Sequence, residues 1–176
     1  MIAPDFELWN VVTGNRVRRD EARGPKGLLL LFICRHCPYV THVQAELAKL
    51  GREYAGRGVG FAAICANDSV AHPEDLPQSL AQQARIVGFT FPYLHDASQE
   101  VAQSYGAVCT PDSFLFAGPQ GSDLRLAYRG QIDDSRPENG KPVTGRDLRG
   151  ALDAVITGQP VTQVQHPSVG CSIKWK

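Results

Sequence analysis

Apolar residues form two kinds of run along this chain, and their alternation predicts strands and helices in turn. Residues 27–33 include no polar position, which is typical of a central strand in a sheet covered on both faces. From Pro38 the period lengthens, and Val40, Val43 and Leu47 recur at the spacing of one helix face. A strand followed directly by a helix is half of a βαβ unit.

The rest of the chain continues this alternation. A hairpin is predicted over residues 5–17, strands over 59–64, 91–94, 113–117 and 124–129, and helices over 76–87, 98–105 and between Thr144 and Gly158. The tail, residues 161–176, has no clear period. This order predicts an α/β fold, with a central mixed sheet flanked by helices and an N-terminal β-hairpin, in which a parallel part gains an antiparallel edge.

Composition narrows the classes of function. The chain has 176 residues, which suits one domain spanning 1–176, and 18 Lys+Arg balance 18 Asp+Glu. Without net charge or a basic run, nucleic acid is not an expected partner. The longest apolar run, residues 28–34, is too short for a membrane span, and the start lacks a secretory pattern. We therefore expect a cytoplasmic protein.

Two of the five cysteines carry the clearest chemical signal. Cys34 and Cys37 follow the most apolar strand and precede a helix, at the sheet edge where ligands of such folds bind. Two thiols at this spacing can close a small disulfide ring, so the pair can cycle between dithiol and disulfide. The helix start, with the neighbouring Arg35 and His36, is expected to lower the pKa of an exposed Cys34. Cys37 is then the more buried, resolving thiol.

Other uses of the pair are less well supported. Zinc would need further ligands, for which His36, His42 and Cys65 are candidates, but the chain has no second Cys-x-x-Cys and no His pair at ligand spacing. We expect His42 to face solvent. Haem attachment requires His after the second cysteine, where this chain has Pro38. No metal or cofactor is therefore expected.

Thr110 and Pro111 are the second signal. A proline at the head of a strand beside the thiols can hold a cis bond, because cis peptide bonds are almost confined to X-Pro. The alternative is that Pro111 merely begins an edge strand.

These motifs together resemble the thioredoxin superfamily. The resemblance includes Cys34 to Cys37 after an apolar strand, and Thr110-Pro111 before a hairpin. More closely, the chain is similar to bacterial thioredoxin-family and peroxiredoxin-like proteins described as thiol-disulfide isomerases. The segments that carry this likeness are 3–8, 34–40, 91–94, 109–112, 128–137 and 170–176.

The resemblance implies a thiol-disulfide oxidoreductase. In it Cys34 attacks, Cys37 resolves, and Thr110 with a cis Pro111 pairs with a bound substrate. The implied partners are a disulfide-containing protein or small-thiol substrate and an electron donor. Two family features are missing, because Leu28 and Ile33 stand where thioredoxin has a buried Asp and a Trp. No general base is therefore evident.

Two other functions remain open. A thiol peroxidase is one, although Cys34 lacks the upstream Pro and Thr of the Pro-x-x-x-Thr-x-x-Cys pattern. A non-enzymatic metal- or partner-binding domain is the other. Stoichiometric zinc in the purified protein favours that second reading, and a reversible disulfide favours the oxidoreductase.

The other three cysteines divide into two groups. Cys65 ends an apolar strand and is expected to be a small buried packing residue. Cys109 lies two residues before Pro111, and Cys171 lies in the tail. Our hypothesis is that Cys109 and Cys171 form an auxiliary thiol pair, with reduced packing residues as the alternative.

Overall fold

The structure is a computed structural model that describes residues 1–176. The strands are β1 Glu7–Asn10, β2 Arg16–Arg18, β3 Gly27–Phe32, β4 Val59–Cys65, β5 Tyr93–His95, β6 Cys109–Thr110, β7 Asp112–Ala117, β8 Arg125–Gly130 and β9 Cys171–Ser172. The α-helices are α1 Arg19–Ala22, α2 Pro38–Glu53, α3 Pro77–Val87, α4 Glu100–Tyr105 and α5 Arg146–Thr157, and Pro73–Asp75 forms a 3₁₀ turn.

Seven strands form one mixed sheet in the order β2-β1-β5-β4-β3-β7-β8. Strands β3, β4 and β5 run parallel, whereas β7 and β8 add an antiparallel edge on one side and the β1–β2 hairpin adds one on the other. The predicted mixed sheet and N-terminal hairpin are confirmed. The carboxyl ends of β3 and β4 meet at one edge, and that edge carries the cysteine pair.

Strand β3 is central because it is apolar on both faces. All six of its residues are buried. Leu29 and Leu31 pack in the larger core with residues of α2, α3 and α5, whereas Leu30 and Phe32 face a second core that includes the ring of Tyr105. Burying one such side chain contributes roughly 1.5–3 kcal/mol, so this strand anchors the loop that follows it.

The tail has ordered contacts that its sequence pattern does not predict. Strand β9 pairs antiparallel with β6 in a separate two-stranded sheet. Beyond it, the Lys174 amide donates to Asn67 Oδ1 at 2.9 Å, and the Lys176 amide donates to Gln99 Oε1 at 3.1 Å. These contacts hold the tail over the site edge of the main sheet. No helix in the molecule is both long and apolar enough to cross a bilayer.

Candidate active site

Cys34 and Cys37 occupy the turn between β3 and α2. The helix begins at Pro38, so Cys37 is its N-cap residue, and its carbonyl accepts from the amides of Val40 and Thr41 at 3.0 and 2.9 Å. Cys34 lies three residues earlier, outside the helix. The helix starts at Pro38, as the sequence pattern predicts, but the residue at its N-terminus is Cys37 and not Cys34, whose pKa the helix start was expected to lower.

Both thiols are buried. The exposed fraction is 1% for Cys34 and 2% for Cys37, so the expectation of an exposed Cys34 and a more buried Cys37 is also wrong. Cys34 Sγ lies 3.5 Å from Thr110 Oγ1, and the Cys37 thiol donates to the Thr110 carbonyl over 3.4 Å. Thr110 thus contacts both sulfurs, and its strand, β6, covers the two thiols.

The hydrogen bond between the two thiols separates their pKa values. It lowers the pKa of Cys37 to about 4, since the ionised sulfur accepts from Cys34 and, more weakly, from Cys171 and the Val40 amide. The same bond, followed by burial, raises the pKa of Cys34 well above its usual range. The pKa is thus lowered at Cys37, the N-cap residue, whereas the sequence pattern favoured a low pKa at Cys34.

Asp75 is a site residue that the sequence analysis missed. Its carboxylate is fully buried and accepts from the Arg35 amide at 2.8 Å and from Asn67 Nδ2 at 3.0 Å. Donor atoms of Asp75, His36 and Cys34 all lie within 4.8 Å of one another, and the Asp75 charge helps to raise the pKa of Cys34. Asp75 thus supplies a buried carboxylate beside the thiols. Leu28, at the position of the family's Asp, cannot supply one.

The two residues between the cysteines do not act as expected. The Arg35 guanidinium turns to α3, where it donates to the Ser79 carbonyl and the Gln82 side chain, both at 2.8 Å. His36 Nδ1 lies 3.1 Å from an oxygen of Asp75, so its ring faces that carboxylate. The Arg35 side chain thus points away from the thiols, whereas the His36 ring lies beside Cys34 and Asp75, and the pKa of Cys34 is raised and not lowered as predicted.

The zinc ligands considered from sequence do not come together. His42 is half-buried, and its Nε2 lies 2.7 Å from Ser135 Oγ, which corrects the expectation that it faces solvent. Cys65 is fully buried at the end of β4, where burial raises the pKa of its thiol. Only His36 of the three lies beside the active thiols.

The peptide bond between Thr110 and Pro111 is cis. The backbone of Thr110, which the resemblance leaves free for a substrate, is instead paired with Cys171 of the chain's own tail. That part of the expectation is wrong, because β9 already occupies the edge of β6. A substrate reaches this edge only when β9 moves aside or takes part.

Cys109 and Cys171 lie on the same small sheet but do not face each other. Cys109 is opposite Ser172 in the register, and its thiol donates to the Pro111 carbonyl over 3.8 Å. The Cys171 thiol lies close enough to Cys37 that it helps to lower the pKa of Cys37, and Cys37 helps to raise the pKa of Cys171. The structure therefore places Cys171 with the active pair and not with Cys109, against the hypothesis of an auxiliary Cys109–Cys171 pair.

The fold and the site together define a class. A buried dithiol at the carboxyl end of a central strand, opposite a cis proline in a thioredoxin-like sheet, is typical of thiol-based redox proteins. The chain belongs to the AhpC/TSA family, whose model matches residues 1–127. This membership supports redox activity of the thiol-disulfide oxidoreductase or peroxidase type. No curated protein matches the chain.

Solved structures extend the comparison to the whole chain. An uncharacterized conserved protein from Geobacillus kaustophilus is 50% identical, with a TM-score of 0.95 over 100% of this chain and 91% of that one. A hypothetical protein from Sinorhizobium meliloti 1021 is 45% identical, with a TM-score of 0.95 over 100% and 93%. A secreted disulfide oxidoreductase from Mycobacterium tuberculosis is 13% identical, with a TM-score of 0.61 over 85% and 95%, which shows a shared fold alone.

Proposed function

We propose that this protein is a thiol-disulfide oxidoreductase in which Cys34 and Cys37 cycle between dithiol and disulfide. The observation that carries the proposal is that two buried thiols three residues apart both contact Thr110, the residue before the cis proline. Sharing a proton keeps one sulfur ionised near neutral pH, and only the thiolate attacks a disulfide. The substrate is a disulfide-containing protein or a small disulfide, and a dithiol electron donor restores the reduced pair.

The reaction balances in two exchange steps. A thiolate of the pair attacks one sulfur of the substrate disulfide, a mixed disulfide forms, and the other substrate sulfur leaves as a thiolate. The second cysteine then loses its proton, attacks the mixed disulfide and closes the Cys34–Cys37 bond, which releases the remaining substrate thiolate. The pair gives up two electrons, and the substrate disulfide is reduced.

The place of Cys37 at the helix N-terminus and its lowered pKa support Cys37 as the attacking sulfur, whereas the resemblance implies Cys34. Cys34 then resolves, and its proton must leave toward a nearby acceptor. Asp75 supports this step, because its carboxylate oxygen lies within 4.8 Å of the Cys34 sulfur. We assign Asp75 the role of a positioning and proton-accepting group for Cys34.

Disulfide mapping tests the proposal. Reduced protein is mixed with oxidised glutathione, quenched in acid and mapped by mass spectrometry without reduction. We expect a Cys34–Cys37 disulfide in the unaltered protein and, at the earliest quench times, a glutathione adduct on the remaining thiol of the pair in Cys34→Ser and Cys37→Ser. Cys65→Ser is the matched control, since Cys65 is equally buried at the end of the neighbouring strand β4.

The order of attack is read from the same maps. Faster adduct formation in Cys34→Ser than in Cys37→Ser assigns the attack to Cys37, and the reverse assigns it to Cys34. The proposal would be contradicted if the unaltered protein formed no Cys34–Cys37 disulfide, or if the purified protein contained stoichiometric zinc.

A thiol peroxidase is the second candidate, because the AhpC/TSA match favours it. In that reaction a thiolate is oxidised by a hydroperoxide to a sulfenic acid, which the second thiol converts to a disulfide with loss of water. The Arg35 guanidinium, however, is bound to α3 and not to the thiols. Oxidation that is much faster with hydrogen peroxide than with oxidised glutathione would support the peroxidase instead.

A further inference from the structure

The tail lies where an extended substrate would pair with the protein. Strand β9 runs antiparallel to β6, with Cys171 opposite Thr110, and the Ile173 amide donates to the Val108 carbonyl at 3.0 Å. The approach is close at Gly170, where a Cβ would stand 1.9 Å from the Thr110 carbonyl oxygen. Only glycine fits there, so this residue lets the tail seat against the residue that precedes the cis proline.

This seating brings a third thiol into the buried pair. The Cys171 side chain packs against the core that contains Cys34 and Cys37, and its strand position is opposite Thr110, which contacts both of their sulfurs. Cys37 thus has a thiol neighbour on each side, Cys34 from its own turn and Cys171 from the tail. A sulfur in that central position can form a disulfide with either neighbour.

The three thiols differ in their access to solvent. Cys34 and Cys37 are buried, whereas Cys171 is half-buried beside the exposed Val169. A bulky partner therefore meets Cys171 before it meets the pair.

We propose that Cys171 is a third redox thiol, which exchanges disulfides with Cys37 from the position that a substrate strand would take. This inference rests on the proposed function of the Cys34–Cys37 pair. In the exchange, the Cys171 thiolate attacks the Cys37 sulfur of the Cys34–Cys37 disulfide. A Cys37–Cys171 bond forms, and Cys34 leaves as a thiolate and takes up the proton that Cys171 gave up. No electrons are gained or lost, and the disulfide moves toward the surface, where a thiol of the electron donor reduces it.

Cys109 provides the matched control. It is also half-buried, lies on the same two-stranded sheet, and has a pKa raised to about 11, as has Cys171. Its thiol donates to the Pro111 carbonyl, and its register position opposite Ser172 puts Cys109 on the other face of the small sheet from Cys171. If nearness to the pair alone were enough, the two cysteines would behave alike.

Oxidation of Cys34→Ser with oxidised glutathione tests the proposal. We expect a Cys37–Cys171 disulfide in Cys34→Ser and in Cys34→Ser/Cys109→Ser, because Cys171 displaces glutathione from Cys37. In Cys34→Ser/Cys171→Ser the glutathione adduct on Cys37 should persist about tenfold longer or more. Equal adduct lifetimes with and without Cys171 would overturn the inference.

A measurement on the oxidised, otherwise unaltered protein covers the case in which these variants do not fold. We expect its peptide map to contain Cys37–Cys171 beside Cys34–Cys37, and no Cys37–Cys109 product. Cys34–Cys37 alone would overturn the role of Cys171 and leave the oxidoreductase standing. The absence of both disulfides would overturn the oxidoreductase itself.

Discussion

Strand β3 with helix α2, and the tail that contains β9, supply the two halves of one site by different physical means. The fold of β3 and α2 follows from their local sequence pattern. An apolar strand is covered on both faces, and a helix with an apolar stripe packs that stripe on the core. The tail has no such pattern, and it is held by hydrogen bonds to Asn67, Gln99 and β6, all distant in sequence. The first region sets stability, whereas the second sets which groups meet the thiols.

This contrast assigns separate effects to substitutions in the two regions. A change in β3 should disturb the whole fold, because both faces of the strand are packed. A change in the tail should leave the fold intact and alter the surroundings of Cys37 alone. The four predictions that follow test this separation.

Leu31→Ala should have the largest effect. Leu31 is fully buried in the larger core, and such a truncation reduces the free energy of unfolding by roughly 2–5 kcal/mol. Val164→Ala in the tail, where the side chain is 67% exposed, should change it by less than about 0.5 kcal/mol. Urea unfolding of both variants measures the difference. Similar losses in the two would show that the tail contributes to global stability.

The pH dependence of alkylation should separate Cys37 from Cys171. The pKa of Cys37 is lowered to about 4, so Cys37 is already ionised at neutral pH and its iodoacetamide rate should be nearly flat from about pH 6 to 8. Burial first, and the bond to Cys37 next, raise the pKa of Cys171 to about 11. Its rate should therefore rise about tenfold per pH unit. Parallel profiles would contradict the proposed charge on Cys37.

Gly170→Ala should release the tail without unfolding the protein. An added Cβ meets the Thr110 carbonyl at 1.9 Å, so β9 must shift. We expect faster exchange of the Ile173 amide hydrogen and alkylation of Cys171 about tenfold faster. The control is Gly150→Ala in α5, where a Cβ meets nothing within 4 Å and should stabilise the helix by about 0.5–1 kcal/mol. Unchanged exchange at Ile173 would show that the seating of β9 does not depend on Gly170.

Asp75→Asn, made in a Cys37→Ser background, should produce the smallest change. Removing the carboxylate removes a charge that raises the pKa of Cys34, so the alkylation profile of Cys34 should move to lower pH by about one unit. Asp112→Asn is the control. Asp112 is also a buried carboxylate, but its partners are Ser168 and Arg129 and not the thiols. If Asp75→Asn does not shift the alkylation profile of Cys34, Asp75 is not the group that accepts the Cys34 proton.

The strands and helices were predictable wherever apolar residues repeat at the spacing of a strand or of one helix face. Strands β3 and β4, helix α2 and the β7–β8 hairpin lie within one or two residues of their predicted bounds. Helix starts were less predictable. The helix predicted from residue 98 begins at Glu100 with Gln99 as its N-cap, and the Gln99 side chain donates to the carbonyls of Ala66 and Lys174. A tail contact that no local window contains decides the conformation there.

The site shows the same division. The position of the Cys34 and Cys37 pair follows from the apolar strand before it, but the burial and charge of each thiol depend on Thr110, Asp75 and Cys171. Those three come from separate loops and strands, and their sequence neighbours carry no periodic signal. Asp75 had one indication, since it follows the carboxyl end of β4, which lies beside β3 at the site edge.

The central claim is that Cys34 and Cys37 form a reversible two-electron couple, and one titration tests it most directly. Protein equilibrated across glutathione redox buffers, quenched in acid and mapped by mass spectrometry should convert in a single two-electron transition. The Cys34 and Cys37 peptides should be joined in the oxidised form and fully recovered as thiols on return to reducing buffer. If both remain free thiols across the series, or carry only separate glutathione adducts, the account is wrong.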